Sequence, residues 1–140
     1  MQLKLTLSGL VGASAVALGA MGAHTLDRFE GTGLGYDPWA WWNSASRYHL
    51  IHAAALLALA LYLAQTKSKA ILLHAAWWSW LAGVVLFSGS LYYFVLNKIN
   101  TLADDATHLL RYLTPIGGLC MILGWLLVAV GALFVKRKPA

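Results

Sequence analysis

The sequence predicts an all-α membrane protein: one domain of four transmembrane helices, packed as an up-down bundle. Hydrophobic residues make up 60% of the 140 residues and charged residues only 11%, which is not the composition of a soluble domain. Four apolar stretches each reach the roughly 20 residues that one helical crossing requires. No segment shows the sustained alternation of apolar and polar residues that a membrane barrel needs.

The basic residues also favour a membrane environment. The formal net charge is +5, but the basic side chains sit at the ends of apolar runs, where lipid headgroups and insertion rules account for them. We therefore expect the lipid bilayer as partner and no nucleic acid. Because four crossings use most of the chain, residues 1–140 are expected to form a single integral membrane domain.

The first predicted span covers residues 5–23, directly after Lys4. Its basic start and small-residue end also resemble a signal peptide that would be cleaved near Gly22-Ala23. We favour a retained helix because small residues recur in steps of four and three, which traces a packing seam. The seam consists of Ser8, Gly12, Ala15, Gly19 and Gly22.

The second predicted span covers residues 46–63. Asp37 followed by Pro38 is a favourable helix start, because the carboxylate caps free N–H groups and proline has no N–H to satisfy. Three tryptophans follow, and tryptophan is typical of the headgroup level. They are Trp39, Trp41 and Trp42.

The third predicted span covers residues 70–96, a length that requires tilt or extension beyond the hydrocarbon. Ser88, Gly89 and Ser90 are small and indicate a close helix crossing. Residues 97–111 form a polar link, for which we expect a short interfacial helix. The fourth span covers residues 113–135, and a second packing seam follows glycines spaced seven residues apart. These glycines are Gly117, Gly124 and Gly131.

Charge predicts the orientation. With four crossings, the two termini and the link between spans two and three share one side of the membrane. That side carries six basic residues and no acidic residue: Lys4, Lys67, Lys69, Lys136, Arg137 and Lys138. The opposite side carries every acidic residue: Asp27, Glu30, Asp37, Asp104 and Asp105. Because positive residues stay on the cytoplasmic face, both termini are expected to be cytoplasmic.

Polar residues near the outer helix ends form a candidate polar pocket. His52 would lie about 9 Å below the start of the second span, and an ionisable group at that depth is a functional candidate unless a neighbouring helix satisfies it. We favour the structural use of this histidine, because hydroxyl partners are available nearby. The candidate pocket consists of His24, Arg47, His52, Ser88, Ser90 and Thr114.

Metal binding and catalysis are less favoured. Only His24, His49, His52 and His108, with Asp104 or Asp105, could converge on a metal, and their spacing alone is a weak signal. Cys120 is the only cysteine, so an intrachain disulfide is excluded. For Arg47 we favour a headgroup anchor that snorkels outward over an ion pair with one of those aspartates. We expect no cofactor and no catalytic residue, since no carboxylate lies within the spans to orient a histidine beside Ser88 or Ser90.

Four motifs together resemble the domain-of-unknown-function 423 family of small bacterial membrane proteins. They are Gly19-Ala-Met-Gly-Ala-His24, Arg47-Tyr-His-Leu-Ile-His-Ala53, Leu86-Phe-Ser-Gly-Ser-Leu-Tyr92, and Thr114-Pro-Ile-Gly-Gly118 with Gly124-Trp125. The resemblance implies a retained first span and a multi-pass location in the bacterial inner (plasma) membrane. It implies no reaction, because the family has no established biochemical role. His49 and Thr25 depart from the pattern, where glutamine and glycine are expected.

Three functions remain open. The preferred hypothesis is a non-enzymatic structural or accessory subunit, forming a homo-oligomer or part of a larger membrane complex. The alternative is a small transporter or channel-like protein whose outward-facing pocket contains His52, with a carbonyl freed by Pro115. The remote alternative is a haem or copper site at the outer face.

Overall fold

Long helices account for nearly all of the described chain. The computed structural model describes residues 2–26, 37–66, 71–99 and 106–134, and of residues 66, 98, 99 and 106–111 it describes the backbone alone. The helices are α1 (Gln2–Thr25), α2 (Pro38–Thr66), α3 (Ile71–Gly83), α4 (Gly89–Ile99) and α5 (Ala106–Leu133). A π-helical turn, Val84–Ser88, joins α3 to α4. We refer to α3, this turn and α4 together as span 3.

Four helical segments are long and apolar enough to cross a membrane: Gln2–Thr25, Pro38–Gln65, Ile71–Asn97 and Tyr112–Leu133. The shortest has 22 residues, and at 1.5 Å per residue it exceeds the roughly 30 Å of a hydrocarbon core. The described ranges contain no strand. The predicted fold class, a four-helix transmembrane bundle, is therefore confirmed.

Two helix boundaries differ from the predicted spans. α2 begins at Pro38, the helix start that Asp37 and Pro38 predict, and so extends the helix ahead of the span predicted from residue 46. Asp37 Oδ1 accepts a hydrogen bond from the Ala40 N–H at 3.1 Å and caps the helix. α5 begins at Ala106 and continues through Pro115. The separate interfacial helix expected in residues 97–111 is thus wrong, since the described part of that link extends α4 and α5.

The helices form a row in chain order. α1 packs against α2, α2 packs against span 3, and span 3 packs against α5. Within the described ranges, the backbone of α1 approaches no helix other than α2. The bundle is therefore open at both ends of the row, with α1 at one end and α5 at the other.

α1 joins the bundle through a narrow stripe. Ser8, Ala15 and Gly22 are buried, one every seven residues. At the start of the helix, Lys4 Nζ lies 4.7 Å from the centroid of the Trp77 ring and 3.5 Å from the His74 carbonyl oxygen, to which it donates. A cation facing an indole ring is attracted by the ring quadrupole, so Lys4 attaches α1 to α3 across α2.

Indole N–H groups join neighbouring helices. Trp42 Nε1 donates to the Leu18 carbonyl of α1 at 2.8 Å, and Trp77 Nε1 donates to the Leu56 carbonyl of α2 at 3.0 Å. Both tryptophans are buried. The sequence placed Trp42 at the headgroup level and missed this packing role.

Glycines permit the close contact between α5 and span 3. A Cβ atom on Gly117 would overlap the backbone of Leu86 and Phe87, and one on Gly124 would overlap the Trp80 indole. Gly131 lies against Leu73 in the same way. α5 therefore approaches the backbone of the π-helical turn more closely than any residue with a side chain would permit.

The remaining predicted packing glycines divide into two groups. Gly22 lies against the Trp42 indole, whereas a Cβ on Gly12, Gly19 or Gly89 would have no described heavy atom within 4 Å apart from those of its own stretch of helix. Within the described ranges, the α1 seam therefore packs through its buried residues Ser8, Ala15 and Gly22.

Two apolar clusters fill the interior. The first cluster consists of Leu56, Leu59, Ala60, Leu63, Leu73, Ala76, Trp77 and Trp80. The second cluster consists of Leu26, Trp42, Ala45, Tyr92 and Val95. The polar residues of interest lie between these two clusters.

The contact at Gly117 predicts a difference between adjacent substitutions. Gly117→Ala should destabilise the protein by about 1–3 kcal/mol, the usual effect of overpacking a tight contact, because its Cβ would overlap backbone atoms of Phe87 and not the end of a flexible side chain. Gly118→Ala is the matched control, since its Cβ would meet only the Phe87 side chain, at 3.8 Å. Thermal unfolding in mild detergent, followed by circular dichroism, measures both variants. Equal melting temperatures for the two would contradict the packing described.

Candidate functional site

A polar layer lies between the two apolar clusters. We define it as the side chains of Ser14, Ser46, His49, His52, Ser88, Ser90, Tyr92 and Thr114, which come from all four spans. Several are almost fully buried, including His52 with 3% of its surface exposed and Ser88 with none. Burying a hydroxyl or an imidazole is unfavourable unless it is hydrogen-bonded, so the bonds of this layer determine what it can do.

The end of the π-helical turn directs two serines to different neighbours. Ser88 Oγ donates to the Ala45 carbonyl of α2 at 2.9 Å. Two residues later, Ser90 Oγ lies 2.7 Å from Thr114 Oγ1 of α5 and donates to the Phe87 carbonyl at 2.9 Å. Residues two apart lie on opposite sides of a helix, so span 3 is bonded to α2 on one side and to α5 on the other.

His52 is fixed in one tautomer by its two partners. Its Nδ1 lies 2.8 Å from the Tyr48 carbonyl oxygen, and its Nε2 lies 3.3 Å from Trp125 Nε1. An indole nitrogen can only donate, and a carbonyl can only accept. His52 is therefore neutral, with its proton on Nδ1 and its Nε2 lone pair occupied by the Trp125 N–H.

The bond from Trp125 also joins α2 to α5, two helices whose backbones do not approach each other. The His52 ring packs edge-on against Trp80 and Trp125, with centroids 6.2 Å apart in both cases. Tyr48 stacks beside His52 and meets Phe87 edge-on at 5.0 Å. Aromatic rings thus enclose the imidazole within the membrane.

His49 belongs to a separate network. Its Nε2 lies 3.4 Å from Ser14 Oγ of α1, and its Nδ1 lies 3.4 Å from the Tyr92 hydroxyl of α4. Tyr92 in turn donates to Ser46 Oγ at 3.2 Å, and Ser14 Oγ can donate to Val11 O at 3.0 Å. A neutral imidazole has one N–H, so one of these two hydroxyls must turn its proton toward the ring.

The structure brings together only part of the predicted pocket. Ser90 and Thr114 are hydrogen-bonded to each other, and Ser88 and His52 lie in the same polar layer. His24 and Arg47, by contrast, are exposed at the surface of α1 and α2. The pocket therefore does not close around a charged group in the part of the chain that the structure describes.

The two buried histidines do not converge. His49 contacts α1 and α4, whereas His52 contacts Trp80 and Trp125, although the two are only three residues apart. Among the described residues, no three His, Cys, Asp or Glu side chains gather as a metal ion would require. Asp104, Asp105 and the side chain of His108 lie outside the description.

Sequence reasoning missed the partners of the histidines. Trp125, Tyr92, Ser46 and Ser14 are bonded to them, but nothing local marks a tryptophan or serine in an apolar run as a partner of a distant residue. One weak signal was present: Trp125 directly follows Gly124, which packs on Trp80. A tryptophan next to a packing glycine lies near the helix interface.

The hydrogen bonds of the polar layer join helices and occupy the groups that could otherwise react. Each buried histidine and serine of the layer has partners on a neighbouring helix or on its own backbone, and Asp37 is the only acidic residue within the described ranges. No described carboxylate is placed to activate a hydroxyl or to balance an imidazolium. The Trp80 indole nitrogen is the one buried side-chain polar atom without a partner among the described residues.

Comparison with known proteins gives consistent matches. The family model described as "Protein of unknown function (DUF423)" matches residues 18–118. A UPF0382 membrane protein of Haemophilus influenzae is 37% identical over 128 residues, covering 91% of this chain and 91% of that protein. The UPF0382 membrane protein YwdK of Bacillus subtilis is 34% identical over 135 residues, covering 94% and 97%. No solved structure matches significantly.

A further relative indicates the membrane concerned. The UPF0382 inner membrane protein YgdD of Escherichia coli K12 is 33% identical over 139 residues, covering 96% of this chain and 92% of that protein. With four membrane-spanning helices, this protein is likewise a multi-pass protein of the inner membrane. The family predicted from the four motifs is confirmed: the chain belongs to the DUF423 family of proteins of unknown function.

Proposed function

We propose that this protein is a non-enzymatic structural or accessory subunit that acts by packing in the membrane, either with copies of itself or within a larger complex. The observation that carries the proposal is the use of the polar layer. Its buried hydroxyl and imidazole groups are bonded to neighbouring helices or to their own backbone, so they hold the bundle together instead of facing a substrate.

Reactivity is poorly supported at the same groups. A general base needs an available lone pair near its nucleophile, but Nε2 of His52 accepts from Trp125. The Ser88 hydroxyl, the most deeply buried candidate nucleophile, donates to a backbone carbonyl. Both groups would have to break an existing bond before they could take part in a reaction.

The position of α1 supports a partner. It is the least buried of the four spans, since only 17% of its most apolar 18-residue stretch is buried inside the protein. The predicted seam residues Gly12 and Gly19 are half-buried, and a Cβ atom on either would have no described atom of a neighbouring helix within 4 Å. The described residues of the protomer therefore leave this part of the α1 seam unfilled. Small residues at such positions favour close helix association in lipid.

Substituting these glycines tests association without disturbing the fold. Gly12→Ala and Gly19→Ala, whose Cβ atoms have room, should leave thermal unfolding of the protomer unchanged and should reduce crosslinked oligomers or copurified partners in mild detergent. Gly22→Ala is the control for damage within the protomer, because its Cβ would overlap the Trp42 indole and should lower the melting temperature. A wild-type protein that stays a lone monomer after crosslinking contradicts the proposal.

The charge distribution supports cytoplasmic termini. In a chain with Cys120 replaced by serine, single cysteines at Lys67 or Lys138 should resist a membrane-impermeant maleimide applied to intact cells. A cysteine at Asp104 should react. Labelling at Lys67 or Lys138 from outside would overturn this orientation.

A transporter is the second candidate, favoured by one observation. The π-helical turn of span 3 and Pro115 of α5 both interrupt α-helical hydrogen bonding, and the Ser90 to Thr114 contact lies beside them. Interrupted helices are typical of membrane binding sites.

This second candidate predicts that His52→Ala abolishes uptake of ions or small metabolites into liposomes containing the purified protein. Trp125→Phe serves as the control, because it removes one hydrogen bond to His52 and keeps an aromatic ring in place. Uptake that is unchanged by His52→Ala, or absent from the wild type, eliminates a transport function centred on this residue.

A further inference from the structure

The outward face of α2 changes abruptly from polar to apolar. Asn43, Ser44 and Arg47 are exposed, and at 100° per residue they fall within an arc of about 100° on the helix. Every later exposed position on the same face up to residue 61 is apolar: Leu50, Ile51, Ala54, Leu57, Ala58 and Leu61. Arg47 is therefore the last polar residue of this face before its apolar stretch.

The length of that stretch places Arg47 at the membrane surface. The next exposed charged or amide residue on α2 is Gln65, and a separation of 18 positions along the helix corresponds to a rise of about 27 Å. This distance matches the roughly 30 Å of a hydrocarbon core. Arg47 and Gln65 thus lie at the two edges of the core, and the first turns of α2 extend into the headgroup region.

Arg47 needs an anionic partner at that depth. Its guanidinium is always charged, and no acidic residue pairs with it within the described ranges. Its exposure on the outer side of α2 directs it away from the polar layer and toward lipid. The chemical group available there is the phosphodiester of a phospholipid, which an arginine can bind through two parallel N–H bonds.

We propose that Asn43, Ser44 and Arg47 form a binding site for the phosphodiester group of a phospholipid. Arg47 supplies the charge and the bidentate bonds, while the amide N–H of Asn43 and the hydroxyl of Ser44 donate to further phosphate oxygens. The apolar residues that follow, beginning with Leu50 and Ile51, contact the acyl chains of the same lipid. The site holds α2 at a fixed depth in that leaflet.

Native mass spectrometry of the full-length protein in detergent, with phosphatidylglycerol added, tests the site. The wild-type protein should retain bound lipid, and Arg47→Gln should raise the apparent dissociation constant about tenfold. Arg47→Lys should restore part of the binding, because it keeps the charge and loses the bidentate geometry. Gln65→Ala, at the other end of the same face, is the matched control and should bind as the wild type does.

Three further measurements distinguish a phospholipid from the other possible ligands. Diacylglycerol, which has the acyl chains and no phosphate, should bind weakly and without regard to Arg47. Glycerol phosphate should not displace the lipid at equal concentration; if it does, the occupant is a soluble phosphate and the lipid proposal is wrong. Unchanged phosphatidylglycerol binding by Arg47→Gln, with normal thermal unfolding, would overturn the site. Crosslinking of Arg47 to an acidic protein, with lipid binding unaffected, would do the same.

Discussion

Lipid offers no water to a buried hydroxyl, indole or imidazole, so a hydrogen-bond partner for such a group has to come from the protein. Among the described residues only the Trp80 indole nitrogen is buried without one. This requirement explains why the polar layer is distributed over all four spans. His52 is satisfied only because Trp125 lies on α5 and the Tyr48 carbonyl lies one turn earlier on α2. Ser88 depends in the same way on a carbonyl of α2. The positions of the helices and the bonds of the layer therefore specify each other.

Close approach between helices makes these bonds possible. The hydrophobic effect does not drive helices together in lipid, so association relies on packing and on polar contacts. Gly117 lets α5 reach the backbone of the π-helical turn, and Ser90 meets Thr114 at the same contact. On the other side of the bundle, Gly22 receives the indole of Trp42, whose N–H bonds α1. At both contacts, a glycine permits the close approach of two helices and a nearby polar side chain supplies a hydrogen bond between them.

Sequence reasoning predicted the membrane fold because hydropathy over 20 or so residues depends on no distant contact. The helix cap at Asp37 was also predicted, because it depends only on neighbouring residues. The members of the site were harder to predict from the sequence. The prediction included His52, Ser88, Ser90 and Thr114, which lie in the polar layer, but it also included His24 and Arg47, which are exposed. The grouping used depth along the helix alone, whereas the side of the helix decides which residues meet. The π-helical turn left no recognisable signal in the local sequence, and in the structure its backbone lies against Gly117 of α5.

The row arrangement of the helices affects how the chain can assemble. Each helix packs mainly on the one made just before it, so every interface closes a short loop and none waits for a helix made much later. α2 can dock on α1 as soon as it has entered the bilayer, span 3 on α2, and α5 on span 3. The bond between Trp125 and His52, made last, then joins two helices that are not neighbours in the row. Biogenesis can thus proceed stepwise during translation, with Nε2 of His52 as the buried group that receives its partner only when α5 has docked.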